Sequence, residues 1–291
     1  MKALRKAVCW GFAAVAPCEL VLVLCVVGGV RIAPAAWLAM EVAGLALLAA
    51  ATALLLFDYR RHRREGLPRH SAFRAAIADN VPASVRMLMS HEISLATSFL
   101  RWVTRRGPHG VHDGDHAVPY ASAQTATMYG LFFVCVVETV AFAYVIPWPV
   151  VQAAALVLDI WGCYFILALH ASCVVRPHVV GADGSLRLRY GALLDIRIPA
   201  NRIAAVRLDR AFAHGKPAAA DRTAVVDVAV GGLTTVTVEL TGPLRYVRVL
   251  GQHAEASAFR FYADHPVAAV AALRAGGRSS HDSDSLTASD S

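Results

Sequence analysis

Four carboxylic acids lie inside long apolar segments, where an acid either serves an ion path or must be neutralised. They are Glu19, Glu41, Glu138 and Asp159, one in each segment, and no Lys or Arg accompanies them there. From the helical rise, Glu19 and Glu138 lie about 16–18 Å from the ends of their segments, Asp159 about 14 Å and Glu41 about 9 Å. These positions predict either a cation or proton site, or protonated carboxyl groups that hydrogen-bond between helices.

Each of the four segments is long enough to cross a bilayer, whose apolar core of about 30 Å requires roughly 20 helical residues. Hydrophobic residues make up 57% of the 291 residues and charged residues 17%, and the mean hydropathy is +0.50. Such values favour an integral membrane protein. Short loops at 31–34 and 147–149 join the segments into two hairpins. The predicted spans are 7–30, 35–57, 127–145 and 150–175.

The distribution of basic residues predicts the orientation of these spans. Three Lys or Arg residues precede the first span, ten lie between residues 58 and 126, and the two short loops carry one between them. Loops rich in Lys and Arg stay on the cytoplasmic side. We therefore expect a multi-pass protein of the plasma (inner) membrane, with both termini and the middle segment, residues 58–126, in the cytoplasm.

The middle segment begins with a basic cluster and continues with an amphipathic stretch. The cluster, Arg60, Arg61, Arg63 and Arg64, is suited to anionic lipid headgroups, although basic residues here also set the topology by themselves. Apolar residues then recur at helical spacing through 84–106. This pattern predicts a helix that either lies in the membrane interface or packs on the cytoplasmic domain.

Residues 109–116, HGVHDGDH, hold three His and two Asp within eight residues, a set that suits a transition metal. The neighbouring Gly and Pro residues favour a flexible, solvated turn instead, and we predict no metal site there. All six cysteines lie in apolar segments without a CxxC pair, which is typical of packing residues. We predict no cofactor.

After Arg176 the hydrophobic period falls to two, which is typical of β-strands. Asp183-Gly184 and Gly191-Ala192 supply turns, and a helix is expected from 265 to 275. The fold predicted is α+β: two membrane hairpins, then an antiparallel barrel or sandwich over 176–276 closed by a helix, and a disordered tail, 277–291. Strands are expected at 186–190, 195–199, 203–208, 224–230, 234–240, 244–250 and 258–263.

This C-terminal region resembles the bacterial pleckstrin-homology-like domains that follow membrane-spanning helices. The resemblance covers about 176–275 and lies in the order HVV, GSLRLRYG, DIRIP and RIAAV. It implies a non-enzymatic scaffold that binds protein or lipid, and it implies no catalytic residue. The matching residues are Arg189, Gly191, Ile198, Pro199, Arg202, Ile203 and Val206.

Two functions are compatible with these patterns. The first is an interaction module held at the membrane, in which Arg187, Arg189 and Arg197 share a polar strand face toward anionic headgroups or membrane-protein partners. The same three residues also fit an ordinary solvated strand face. The alternative is a small cation- or proton-coupled transporter that uses the intramembrane acids. Residues 176–291 carry 14 basic and 11 acidic residues, a balance that does not favour a nucleic-acid partner.

Overall fold

The structure, a computed structural model, describes residues 2–27, 33–213, 225–249 and 251–276. The predicted disordered tail lies outside the described residues. The chain forms two compact units, one of residues 1–86 with 146–153 and one of residues 87–145 with 154–291. The helices are α1 (Lys2–Val27), α2 (Pro34–Arg64), α3 (Arg69–Asn80), α4 (Ala83–Val103), α5 (Ser122–Val145), α6 (Pro149–Val175) and α7 (Pro266–Gly276).

Three helices, α2, α5 and α6, are long and apolar enough to cross a membrane, with mean hydropathies of 2.1, 1.9 and 1.9. They correspond to three of the four predicted spans. Residues 7–27 of the remaining predicted span lie in α1, a helix of 26 residues that contains Pro17, and residues 28–30 lie outside the described residues. Helix α1 is not among the three apolar helices, so the fourth span stays a prediction. Helix α2 continues past its apolar part to Arg64, so the basic cluster is helical.

One buried carboxylate joins three helices of the first unit at their polar ends. Asp58, on α2, has a fully buried side chain. Its Oδ2 accepts hydrogen bonds from Arg5 Nη2 at 2.6 Å and from Asn80 Nδ2 at 2.8 Å. Because Arg5 lies on α1 and Asn80 on α3, the carboxylate links three helices.

The second unit contains two four-stranded sheets. The first has the antiparallel order β1-β2-β3-β4, and the second has the order β5-β7-β8-β6, in which β6 runs parallel to β8. We call the two sheets together with α7 the β-domain. The strands are β1 (His116–Val118), β2 (His178–Val180), β3 (Leu186–Tyr190), β4 (Leu194–Ile198), β5 (Ile203–Phe212), β6 (Val225–Val228), β7 (Leu233–Val247) and β8 (His253–Phe261).

One apolar core is shared by both sheets and α7. Leu188 of β3, Phe259 of β8 and Val238 of β7 are fully buried in it, and Leu273 of α7 packs against the same core. Within the described residues neither sheet closes on itself, so the predicted barrel is not confirmed. The mixed α+β class is confirmed.

Several strand boundaries differ from the prediction because tertiary pairing decides them. Residues 234–240 and 244–250 were expected as separate strands, yet β7 runs through Thr241-Gly242-Pro243 with an irregularity in its pairing to β8. Strand β1 was not predicted at all. It lies within the middle segment and pairs with β2, with Ala117 opposite Val179.

Candidate binding site at the junction of α6 and the β-domain

The four predicted acids are divided between the two units. Glu19 and Glu41 belong to the first unit and are exposed; Glu138, in the second unit, is exposed and Asp159 is half-buried. Among the described residues, no hydrogen bond joins the two acids of either unit. Asp159 Oδ2 is buried without a hydrogen-bond partner. The predicted ion site therefore gains no support from these contacts.

The basic cluster lies at the end of α2, with Arg61, Arg63 and Arg64 in its last turn, and all four Arg residues are exposed. Arg61 pairs with Asp79 at 3.0 Å, and Arg63 Nη1 donates to the carbonyl of Leu67 at 2.7 Å. Two of the four guanidinium groups thus have partners within the chain. Arg60 and Arg64 form no ion pair with the part of the chain that the structure describes.

The predicted basic face of β3 and β4 is interrupted by burial. Arg187 and Arg197 lie opposite each other in the pairing of β3 with β4, and Arg187 is held by Asp195, with Nε to Oδ1 at 2.7 Å. Arg189 is only 2% exposed, so the prediction that it shares the outer face is wrong. The alternation of LRLRY fails at Arg189 because residues outside the sheet cover it.

The segment 109–116 forms turns that contact the β-domain, and the flexibility of these turns stays a prediction. Asp115 accepts hydrogen bonds from the backbone amides of His112 at 2.9 Å and Ala182 at 3.3 Å. The segment then continues into β1. Among the described residues, no three His, Cys, Asp or Glu side chains are grouped so as to hold a metal ion.

Arg189 attaches this segment to the β-domain. Its Nη1 donates to the carbonyl of His109 at 2.7 Å, and its Nη2 lies 3.4 Å from the carbonyl of Gly110. Among the described residues, Arg189 has no carboxylate in an ion pair. Burial and the nearby charge of Arg187 lower the pKa of Arg189 to about 10. The guanidinium is therefore a buried cation whose hydrogen-bond acceptors are backbone carbonyls, and the nearby charge of Asp195 opposes the fall in its pKa.

A second buried group, in β2, joins Tyr120 before α5 and the chain after β8 to the first sheet. His178 is fully buried, stacks on Tyr120 with a ring separation of 4.3 Å, and accepts the Arg189 backbone N–H at Nδ1 at 3.0 Å. Its Nε2 lies 3.1 Å from the carbonyl of Tyr262, to which the neutral ring donates. Desolvation lowers the pKa of His178 to about 3, so the ring is neutral.

The turn between β3 and β4 contacts the end of α6. Gly191 has φ +51°, and a Cβ there would collide with Ser172 Oγ of α6. The same hydroxyl accepts the Ala192 N–H at 3.3 Å. Only glycine permits this approach, because a side chain would be strained by the backbone conformation and blocked by the helix.

Helix α4 has two apolar faces with different surroundings. One face is covered: Leu95 and Ser98 are 2% exposed, and Phe99 meets Tyr164 of α6 at 5.4 Å between ring centres. A second face is exposed and carries Met89, Ile93, Leu100 and Val103. Leu88, seven residues before Leu95, is also exposed. One face therefore packs within the second unit while the exposed face remains available to the membrane interface. The two predicted alternatives for this helix do not exclude each other.

A cavity of about 280 Å³ lies between α4, the end of α6 and the β-domain; we call it the arginine pocket. Three arginines from separate parts of the second unit line it: Arg176 directly after α6, Arg189 in β3 and Arg248 after β7. Asp195 is the carboxylate in the lining, and it is held by Arg187. The chemistry of this lining suits an anion.

The sequence offered no signal for the arginine pocket. Arg176 and Arg248 lie 72 positions apart, and each looks like an ordinary charged residue at the end of an element. Only tertiary packing places them together.

Comparison with known proteins produced no assignment. No family model, no curated protein and no solved structure matches this chain. The resemblance to bacterial pleckstrin-homology-like domains therefore stays a prediction, and the function must be argued from the site.

Proposed function

We propose that this chain is a non-enzymatic, four-span protein of the inner membrane. Its β-domain, of the pleckstrin-homology-like kind, is an interaction module for anionic lipid headgroups or membrane-protein partners at the cytoplasmic face. One observation carries the proposal: α6 ends at Val175, and β2 begins three residues later at His178. A soluble domain joined so closely to an apolar helix stays beside the bilayer.

The contacts at this junction support a fixed rather than a freely swinging domain. The turn at Gly191 lies against Ser172 of α6, and Arg176 Nε donates to Ser98 Oγ of α4 at 3.0 Å. A domain held in this way meets membrane-bound partners at a high effective concentration. The exposed apolar face of α4 supports the same proposal, because such a face suits the membrane interface.

Labelling of introduced cysteines tests the orientation in a variant that lacks its six native cysteines. We expect Trp148→Cys, in the loop between α5 and α6, to react with a membrane-impermeant maleimide in intact cells. Thr241→Cys, exposed on β7, should react only after the cells are permeabilised. Reaction of Thr241→Cys in intact cells would contradict the proposal.

Photo-crosslinking in cells tests the interaction itself. A photoreactive residue replaces Arg197 on β4 or Thr241 on β7, both of which are exposed and belong to different sheets. We expect adducts with phospholipid or with another membrane protein from at least one position. If both positions give only the uncrosslinked chain, the β-domain is not an interaction module.

A further inference from the structure

We propose that the arginine pocket binds one phosphate group, carried either by a lipid headgroup or by a soluble phosphate compound. The inference rests on the proposed function and deepens it, because it names the ligand class and the residues that recognise it. No enzymatic step is involved.

The charge balance of the lining favours an anion. Arg176, Arg189 and Arg248 bring three positive charges to the pocket, and Asp195 brings one negative charge. That carboxylate is engaged by Arg187 from outside the lining, with Nε to Oδ1 at 2.7 Å. Since cations grouped away from bulk water repel one another, an anion placed among them is stabilised.

The pocket also has hydrogen-bond donors to offer. Arg176 uses its Nε on Ser98, and no acceptor among the described residues engages its terminal nitrogens. Arg248 Nε is buried without a partner, and none of its other guanidinium nitrogens has an acceptor in the described ranges. Two guanidinium groups therefore remain able to form charge-assisted bonds, which arginine forms with phosphate in a bidentate manner.

Arg189 has a different role in the pocket. Its Nη1 is committed to the carbonyl of His109, so it supplies positive charge rather than a free donor. Burial also lowers the pKa of Arg176, as it does that of Arg189. An anion in the pocket would raise both pKa values again, because a nearby negative charge favours the protonated form of a guanidinium group.

The size and position of the pocket fit a phosphate. Its volume of about 280 Å³ is several times the roughly 30 Å³ that one water occupies in the liquid. A phosphate with some of its hydration therefore has room. Arg176 is the first residue after α6, and phosphates of phospholipids lie directly outside the apolar core of a bilayer. The pocket is thus at the depth at which a headgroup would be met.

Calorimetric titration of the full chain, held in a maltoside detergent that contains no phosphate, tests the assignment. The ligands are glycerol 3-phosphate and a short-chain phosphatidylglycerol, with sulfate as a competitor. We expect saturable binding of one ligand per chain. A headgroup site binds the lipid at least about tenfold more tightly than glycerol 3-phosphate, whereas a site for soluble phosphate compounds binds the two alike.

Two matched variants locate the binding. Arg248→Gln removes a charge-assisted bond and should weaken binding about tenfold. Arg245→Gln removes the same charge from β7, but its side chain is 85% exposed and pairs with Glu255 away from the pocket, so binding should change less than about twofold. Equal losses of affinity in the two variants would show that the ligand is attracted by the general positive charge of the chain. That result would overturn the assignment of the phosphate to the arginine pocket.

The wild-type chain decides the question even if Arg248→Gln fails to fold. Absence of saturable binding of both ligands at millimolar concentration overturns the phosphate site. If phosphate fails to bind while photo-crosslinked partners form, the module survives without this site. If glycerol 3-phosphate binds as tightly as the lipid and no adduct forms, the site stands as one for soluble phosphate compounds and the interaction module is wrong.

Discussion

The backbone amide of Gly191 donates a hydrogen bond of 2.6 Å to the phenolic oxygen of Tyr120, 71 residues earlier in the chain. Both groups are buried, Tyr120 completely so. Tyr120 lies just before α5, and Gly191 opens the turn after β3. This one bond therefore joins the segment that leads into the apolar helix α5 to the β-domain.

Removal of this acceptor should destabilise the second unit. In Tyr120→Phe the Gly191 amide stays buried without a partner, which costs about 1–3 kcal/mol. We expect a lower midpoint of thermal unfolding for the full chain in detergent. Tyr144→Phe, which removes a hydroxyl from a side chain that is 88% exposed, is the matched control and should leave the midpoint unchanged. Equal midpoints for both variants would argue against this role of the bond.

Arg189→Met should release the segment 109–116 from β3. The substitution keeps an apolar stem but removes the donors to the carbonyls of His109 and Gly110, and hydrogen bonds to charged groups are worth about 1.5–3 kcal/mol each. Limited proteolysis with trypsin should then cleave faster after Arg105 and Arg106. Arg197→Gln, in which an exposed residue of β4 is changed, should keep the wild-type cleavage rate. Unaltered cleavage in Arg189→Met would show that other contacts hold the segment.

His178 should make the second unit sensitive to acid. Its pKa is about 3 in the folded chain against an ordinary value of 6.5, so below pH 6.5 the unfolded state binds a proton that the folded state does not. The stability of the folded state therefore falls as the pH drops from 6.5 toward 3. At pH 5 the loss relative to neutral pH is about 2 kcal/mol. Protonation also turns Nδ1, the acceptor of the Arg189 amide, into a donor.

Unfolding midpoints measured between pH 7.5 and pH 5 check this expectation. His178→Gln should show a shallower pH dependence than the wild type, because it cannot gain the proton. His253→Gln, which changes an exposed residue of β8, should retain the full dependence. The same slope in all three proteins would assign the acid sensitivity to other groups.

Asp58 should stabilise the first unit because its carboxylate pairs with the guanidinium group of Arg5. Asp58→Ala leaves Arg5, whose side chain is 19% exposed, without its closest partner, and loss of one member of a buried pair costs about 3 kcal/mol or more. The double variant Arg5→Met with Asp58→Leu should be more stable than Asp58→Ala alone, because no unpaired charge remains. Thermal unfolding in detergent measures both, and Glu65→Gln, at an exposed residue of α2's end, serves as the control.

Much of the helical architecture could be predicted from the sequence. Apolar length alone located α2, α5 and α6, because a bilayer core sets the number of residues required. The period of two located β3 and β4 to within a residue. The helix predicted over 84–106 begins one residue from the start of α4, but α4 ends at Val103, three residues before the predicted end.

Local patterns failed where a distant segment completed the structure. Strand β1 has only three residues, too few for a period, and it exists because β2 offers it a partner. Arg189 lies at a position that alternation assigns to the outer face, yet it is buried by the carbonyls of His109 and Gly110. Sequence patterns relate residues a few positions apart, so they do not predict that Gly110, 79 residues before Arg189, helps to bury it.

The sequence by itself determined which segments prefer lipid, which alternate as strands and where turns interrupt them, because these depend on side-chain polarity and backbone conformation within a few residues. Only the tertiary structure decided that Tyr120 meets Gly191, that His178 is neutral, and that Arg176 and Arg248 line one pocket. Those relationships depend on desolvation and on charges brought together across the fold, and both arise only when the chain has packed.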